Sequence, residues 1–194
     1  MTKAPVTPER DIAASGPYAL AVDAMGGDRA PDIVLAGLDL AADRHPKARI
    51  LLIGDETLLR AALAKHPKAA GLCDIRHSEA SIPMDMKPTS ALRVRGSSMR
   101  MAMEAVAAGE ARGVVSAGNS GAMLALAKII VKALPGISRP AMAAVQPSAR
   151  GDVVMLDLGA NIACDARNLV EFAIMGEAFA QAALGLPSPT IGLL

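Results

Sequence analysis

Three short segments of the chain carry residue types suited to holding an anion. They are DAMGGDRAP (23–31), SAGNSGAM (116–123) and DLGAN (157–161), and each directly follows an apolar run. Glycine lets backbone N–H groups approach an anion closely, and the start of a following helix adds unpaired donors and a positive dipole end. Gly26 and Gly27 supply this in the first segment, Gly118 and Gly121 in the second, and Gly159 in the third. Ser116, Asn119, Ser120 and Asn161 add neutral side-chain donors that suit phosphate. Asp23, Asp28 and Asp157 sit at the same turns, with two uses open to them. One is to orient a donor or bind a cation. The other is local: Asp28 caps a helix, while Asp23 or Asp157 ties down its loop by accepting N–H groups. For Asp157 the local use is expected.

Several chemistries find no support in these segments. No GKS or GKT follows the glycines, so there is no Walker A loop, and GxGxxG is absent. No nucleophile elbow, Ser-His-Asp motif or metal-spaced cluster is present, and no metal or cofactor is expected. His45, His66 and His77 lie in ordinary polar text and are expected to be structural.

The elements that must position these turns alternate between strand and helix. Tyr18 to Val22 reads as a first buried strand, and Pro31 suits the opening of a helix over Asp32 to Ala42. Arg49 to Ile53 is a second strand, after which Asp55 caps the helix ETLLRAALAKH. Cys73 to His77 is a weaker third strand. Ser81 to Gly96 has two prolines and no long period, so it predicts a loop with a short helical piece around Thr89 to Val94. In SSMRMAMEAVAAGE, Met99, Met103 and Val106 share one helical face. GVVSAGNSGAM then opens another strand, turn and helix. Asp152 to Leu158 reads as a further buried strand before a helix from Arg167 to Leu184. This alternation predicts an α/β fold, a largely parallel sheet flanked by helices. Ligands bind such a sheet at the carboxyl ends of its strands, so the three turns would share one crevice if their strands are neighbours. Residues 1–17 read as a disordered leader. PSPTIGLL (187–194) reads as a helix exit and the start of a new strand, so an incomplete βα unit is expected there.

Composition narrows the function. The chain is 52% hydrophobic but only 2% aromatic, which suits an aliphatic core and argues against stacking on single-stranded nucleic acid. A formal charge of +1 provides no global attraction for DNA. Cys73 and Cys164 lie far apart without metal-ligand company, and both are expected to be small buried hydrophobes in a reducing, cytoplasmic setting. No apolar run reaches the roughly eighteen residues of a membrane span, and the N-terminus has no signal-peptide core. Arg93, Arg95 and Arg100, with Lys87 nearby, form a basic stretch that is either a solvated face or a docking patch for an acidic or phosphate-bearing partner. Met99, Met101 and Met103 are expected to pack rather than to line a lipid slot.

Taken together, AVDAMGGDRAP, RVRGSSMRMA, VSAGNSGAM, GISRPAMA, LDLGAN and LVEFAIMG resemble the phosphate acyltransferase family of bacterial phospholipid synthesis over residues 18–194. DAMGGD followed at this distance by SAGNSGA is the specific pairing. Ser120 stands where the family often has Thr, and Ala163 stands where an acid is expected after GAN. The resemblance implies transfer of a fatty acyl group from acyl carrier protein to inorganic phosphate, giving acyl phosphate. It also implies an isocitrate/isopropylmalate dehydrogenase-like, Rossmann-like α/β/α fold, usually as a homodimer. Such enzymes sit peripherally on the inner face of the cell membrane, where a downstream glycerol-3-phosphate acyltransferase uses the product.

By resemblance, Asn119, Ser120 and Asp28 are the catalytic candidates. Gly26, Gly27, Ser116, Gly118 and Gly121 would line the phosphate and thioester crevice, bordered by Asp157, Gly159 and Asn161. Arg93, Arg95 and Arg100 would dock the carrier protein. The family continues well beyond Leu194, so residues 18–194 are expected to be the N-terminal portion of one catalytic domain, inactive by itself, with the membrane-contacting parts lying further on. Two alternatives are a phosphotransacetylase-like enzyme using acyl-CoA and a non-catalytic scaffold that docks carrier protein. A related dehydrogenase is disfavoured because the nicotinamide fingerprint is missing.

Overall fold

A computed structural model describes residues 18–194 except 150, 160 and 162; the leader expected at 1–17 lies outside the described residues. The chain divides into two compact units, Met1–Leu126 and Ala127–Leu194.

In the first unit, the strands are Leu20–Asp23 (β1), Ile50–Gly54 (β2), Cys73–His77 (β3) and Val114–Val115 (β4). They form one parallel sheet in the order β3-β2-β1-β4. All five residues of β2 are buried, as a strand covered on both faces requires. Its side chains sort by alternation. Ile50 and Leu52 join Val22, Leu35, Leu38, Leu59 and Leu63 on one side of the sheet. Leu51 and Ile53 join Ala21, Ala102 and Ala105 on the other. The first face is covered by Asp32–Arg44 (α1), Glu56–Leu63 (α2) and Pro67–Ala70 (α3), the second by Ser98–Ala107 (α5). A short helix, Pro88–Ala91 (α4), precedes α5, and Ser120–Ile130 (α6) follows β4.

Local chemistry places the helix starts. Asp55 accepts from the Leu58 N–H at 2.9 Å and caps α2 as expected. Ser97, fully buried, caps α5 through the Arg100 N–H. Met99 and Met103 are buried on α5 and serve packing. The histidines also do structural work. His77 Nδ1 accepts from the Glu56 N–H, and His66 Nδ1 lies 3.0 Å from Asp39 Oδ2.

The second unit departs from expectation. Gly151–Leu156 (β6) is not a buried parallel strand. It pairs antiparallel with Ala143–Ser148 (β5), and its first three residues are exposed. Apolar content alone does not distinguish a sheet interior from a two-stranded hairpin. Ala166–Leu184 (α7) begins at a capping box between Asp165 and Asn168 and ends at Gly185 in the left-handed conformation. Residues 187–194 form no strand, since no described strand edge pairs with them. Cys164 is exposed, not buried, because it lies in the loop before α7 and its thiol donates to Asp157.

Two measurements test this unit-level packing. Leu52 is fully buried at the sheet centre, so Leu52→Ala should cost about 2–5 kcal/mol in urea unfolding. Asp39 accepts from the Ala69 N–H at 2.8 Å, and that bond, with His66 beside it, holds the carboxyl below its ordinary range. A carboxyl depressed in the folded state adds stability above its unfolded pKa and loses it as pH falls through the folded one. Asp39→Asn should therefore flatten the loss of stability below about pH 3.8, followed by urea midpoints across the acid range.

Candidate functional site

From β1 the chain moves outward to β2 and β3, then returns to the other side of β1 as β4. The sheet order therefore reverses between β1 and β4, and open α/β sheets place their ligand crevices at such a point. Val22 pairs with Val115, so the turns at 23–31 and 116–119 leave the sheet side by side.

The two turns are bonded to each other. Asp23 is 2% exposed, and its Oδ2 accepts from the Ser116 hydroxyl at 2.7 Å. Its Oδ1 accepts from the Met25 N–H at 3.2 Å, while Ser116 Oγ accepts from the Gly118 N–H at 3.0 Å. Asp23 thus takes the local role, tying down its own loop and the neighbouring one.

Glycine makes this closeness possible. A Cβ on Gly26 would lie 2.6 Å from Asp23 Oδ2, 2.8 Å from Ser116 Oγ and 2.9 Å from the Gly118 nitrogen. A Cβ on Gly118 would meet Met99 at 2.9 Å and the Gly26 Cα at 3.3 Å. Gly27 has φ +102°, which a side chain would strain. The glycines first of all let one turn approach the other.

Asn119 is 8% exposed and fully engaged. Its Oδ1 accepts from the Ala122 N–H at 2.9 Å, capping α6, and its Nδ2 donates to the carbonyls of Met84 (2.9 Å) and Met86 (2.8 Å). A direct bond from this amide to a substrate would displace one of those contacts. Here Asn119 is a positioning residue, fastening the 83–86 segment to the start of α6. That segment, and Pro88 beside it, escaped sequence reasoning because they show no period. A Cβ on Gly121 would lie 2.8 Å from Pro88 Cγ, so Pro88 also rests on this helix end.

What remains open is small and specific. Among the described residues, the backbone N–H groups of Gly27, Asp28, Ser120 and Gly121 have no protein acceptor. Asp28 and Ser120 are exposed, and their side chains likewise have no partner among the described residues. Asp28 does not cap α1, whose N-cap residue is Pro31 and which has no side-chain cap.

The remaining candidates belong to other segments of the chain. Asp157, Gly159 and Asn161 belong to the second unit, after β6 of the hairpin and not after a strand of the parallel sheet. Asp157 Oδ1 accepts from the Asn161 backbone (3.2 Å) and side chain (2.9 Å), and Asn161 also donates to the Pro140 carbonyl. Gly159 has φ +83° in the same loop. Arg93 and Arg95 are exposed with no partner among the described residues. Arg100 differs from them. Its side chain is only 18% exposed, donates to the Leu92 carbonyl at 2.8 Å and pairs with Glu104.

Similarity to known proteins is extensive. A family profile described as "Fatty acid synthesis protein" matches residues 18–194. The chain is 94% identical over 194 residues to a phosphate acyltransferase of Gluconobacter oxydans, covering 100% of this chain and 53% of that protein. It is 74% identical over 178 residues to a phosphate acyltransferase of Gluconacetobacter diazotrophicus, covering 92% and 48%. A phosphate acyltransferase of Granulibacter bethesdensis shares 65% over 177 residues, covering 91% and 48%. The chain spans about half the length of these relatives.

The contact between the turns predicts opposite outcomes for two glycines. Gly26→Ala should destabilise the protein by about 1–3 kcal/mol, because the surrounding polar atoms must spread. Gly37 lies within α1 with nothing within 4 Å of an added Cβ, so Gly37→Ala should stabilise by up to about 1 kcal/mol. Thermal unfolding of both variants checks the sign.

Proposed function

Because the chain belongs to the fatty acid synthesis protein family, we propose that it contributes the phosphate-holding crevice of an acyltransferase. In this reaction a fatty acyl group moves from the thioester of acyl carrier protein to inorganic phosphate. The observation that carries the proposal is the joined pair of glycine turns at the sheet reversal, with their unpaired N–H groups.

The chemistry fits what those turns offer. A phosphate oxygen attacks the thioester carbonyl carbon, and the C–S bond breaks. The sulfur keeps the electron pair and is protonated as free carrier thiol. No enzyme nucleophile is needed, so the protein's task is to hold the dianion against the electrophile. The N–H groups of Gly27, Asp28, Ser120 and Gly121 and the Ser120 hydroxyl are donors for that purpose. Asp28, exposed with free lone pairs, would take the proton of the phosphate hydroxyl. Asn119 keeps the helix end in place.

Arg93 and Arg95, both exposed, fit an acidic carrier protein. No helix among the described residues is long and apolar enough to cross a membrane. Peripheral association with the inner face of the cell membrane, homodimerisation and delivery of product to glycerol-3-phosphate acyltransferase complete the proposal.

The test is formation of acyl phosphate from radiolabelled phosphate. The chain is assayed alone and joined to the second half of the Gluconobacter oxydans relative. Product is expected from the joined form with acyl carrier protein thioesters. Product from acyl-CoA alone would replace the donor, and absence of product from either thioester would overturn the proposal. In the active form, Asp28→Asn should lower turnover by about a hundredfold.

A further inference from the structure

We propose that Lys87 is the cation that neutralises phosphate at the start of α6, and that Asn119 holds it there. The inference rests on the phosphate crevice proposed above and adds to it a residue outside the glycine turns.

The case begins with charge. The turn at 23–31 carries Asp23, Asp28 and Arg29, the 83–88 segment carries Asp85 and Lys87, and the turn at 116–123 carries no charged side chain. Backbone donors offer a dianion only partial positive charge, and a lysine on the segment fastened to α6 would supply a full one. Lys87 is exposed, with no partner among the described residues.

Its position is set from both sides. The carbonyl of Met86, the preceding residue, accepts from Asn119 Nδ2 at 2.8 Å. Pro88, the following residue, has its Cγ 2.8 Å from where a Gly121 Cβ would stand. Consecutive Cα atoms lie about 3.8 Å apart, so the Lys87 backbone is held beside Asn119 and Gly121. Ser120, whose hydroxyl and N–H are unpaired, lies between those two residues. Arg29 has no comparable tether to α6, and Arg93 and Arg95 lie beyond α4.

Asn119 makes the tether separable from the helix cap. Asn119→Asp keeps the oxygen that accepts from Ala122 but removes both donors to Met84 and Met86. It should free the segment carrying Lys87 while leaving α6 capped.

The test is ³¹P NMR titration of the 194-residue chain with inorganic phosphate, with circular dichroism melting of each variant alongside. Wild type should bind. Lys87→Met should weaken binding about tenfold or more, with an unchanged melting curve. Lys87→Arg should keep most of the affinity, Arg95→Met should match wild type, and Asn119→Asp should fall toward Lys87→Met. Failure of the wild-type chain to bind phosphate would sink the crevice itself. Binding that survives Lys87→Met, or is lost in Arg29→Met instead, would overturn the role of Lys87 and leave the crevice standing. Wild-type affinity in Asn119→Asp would overturn the tether.

Discussion

The 2.7 Å hydrogen bond from Ser116 to Asp23 joins two turns that lie 93 residues apart in the chain. It is made almost out of water, since Asp23 is 2% exposed, and the same carboxylate and hydroxyl also take N–H groups from Met25 and Gly118. A buried carboxylate is costly unless its lone pairs are filled, and here the neighbouring turns fill them. That requirement pins the end of β1 to the end of β4. Gly26 and Gly27 are thereby set against Ala117 and Gly118, just before the start of α6.

Around this bond, polar side chains divide into those consumed by structure and those left available. Ser116, Asp23 and Asn119 are the residue types most readily assigned to catalysis, yet each has its polar atoms engaged by neighbouring protein. The available groups are plainer: backbone N–H donors, the Ser120 hydroxyl and the Asp28 carboxylate. For a reaction between phosphate and a thioester this is a coherent division. A dianion needs fixed dipoles, and dipoles remain fixed only when the turns that carry them cannot relax. Asn119 extends the same rigidity to the 83–86 segment, joining a stretch without periodic structure to the helix start.

Relatives in several bacteria carry this segment as about half of a phosphate acyltransferase. Within it, the four-stranded parallel sheet and its helices form the first unit. The second has a hairpin of its own and a loop in which Asp157 and Asn161 satisfy each other. The loop bonds of Asp157 match the local use expected for it. Arg100, grouped with Arg93 and Arg95 by sequence proximity, instead braces the segment before α5 through the Leu92 carbonyl.

Much of the first unit was legible in its residues. The run RILLI reads as a strand closed by Gly54, Asp55 as the cap of the helix that begins at Glu56, and the glycines after strands as turns. These assignments rest on local preference and on the cost of exposing apolar side chains, both of which act over a few residues. Family membership was legible too, because DAMGGD and SAGNSGA are specific as a pair. Three matters were settled only by the tertiary structure: which strands are neighbours, that β6 has an antiparallel partner, and that Asn119 spends its amide on Met84 and Met86. Each depends on which distant segment satisfies a hydrogen bond, and a donor's residue type does not name its acceptor. The glycine-rich turns were visible in the sequence, but the union of two of them at one sheet reversal was not.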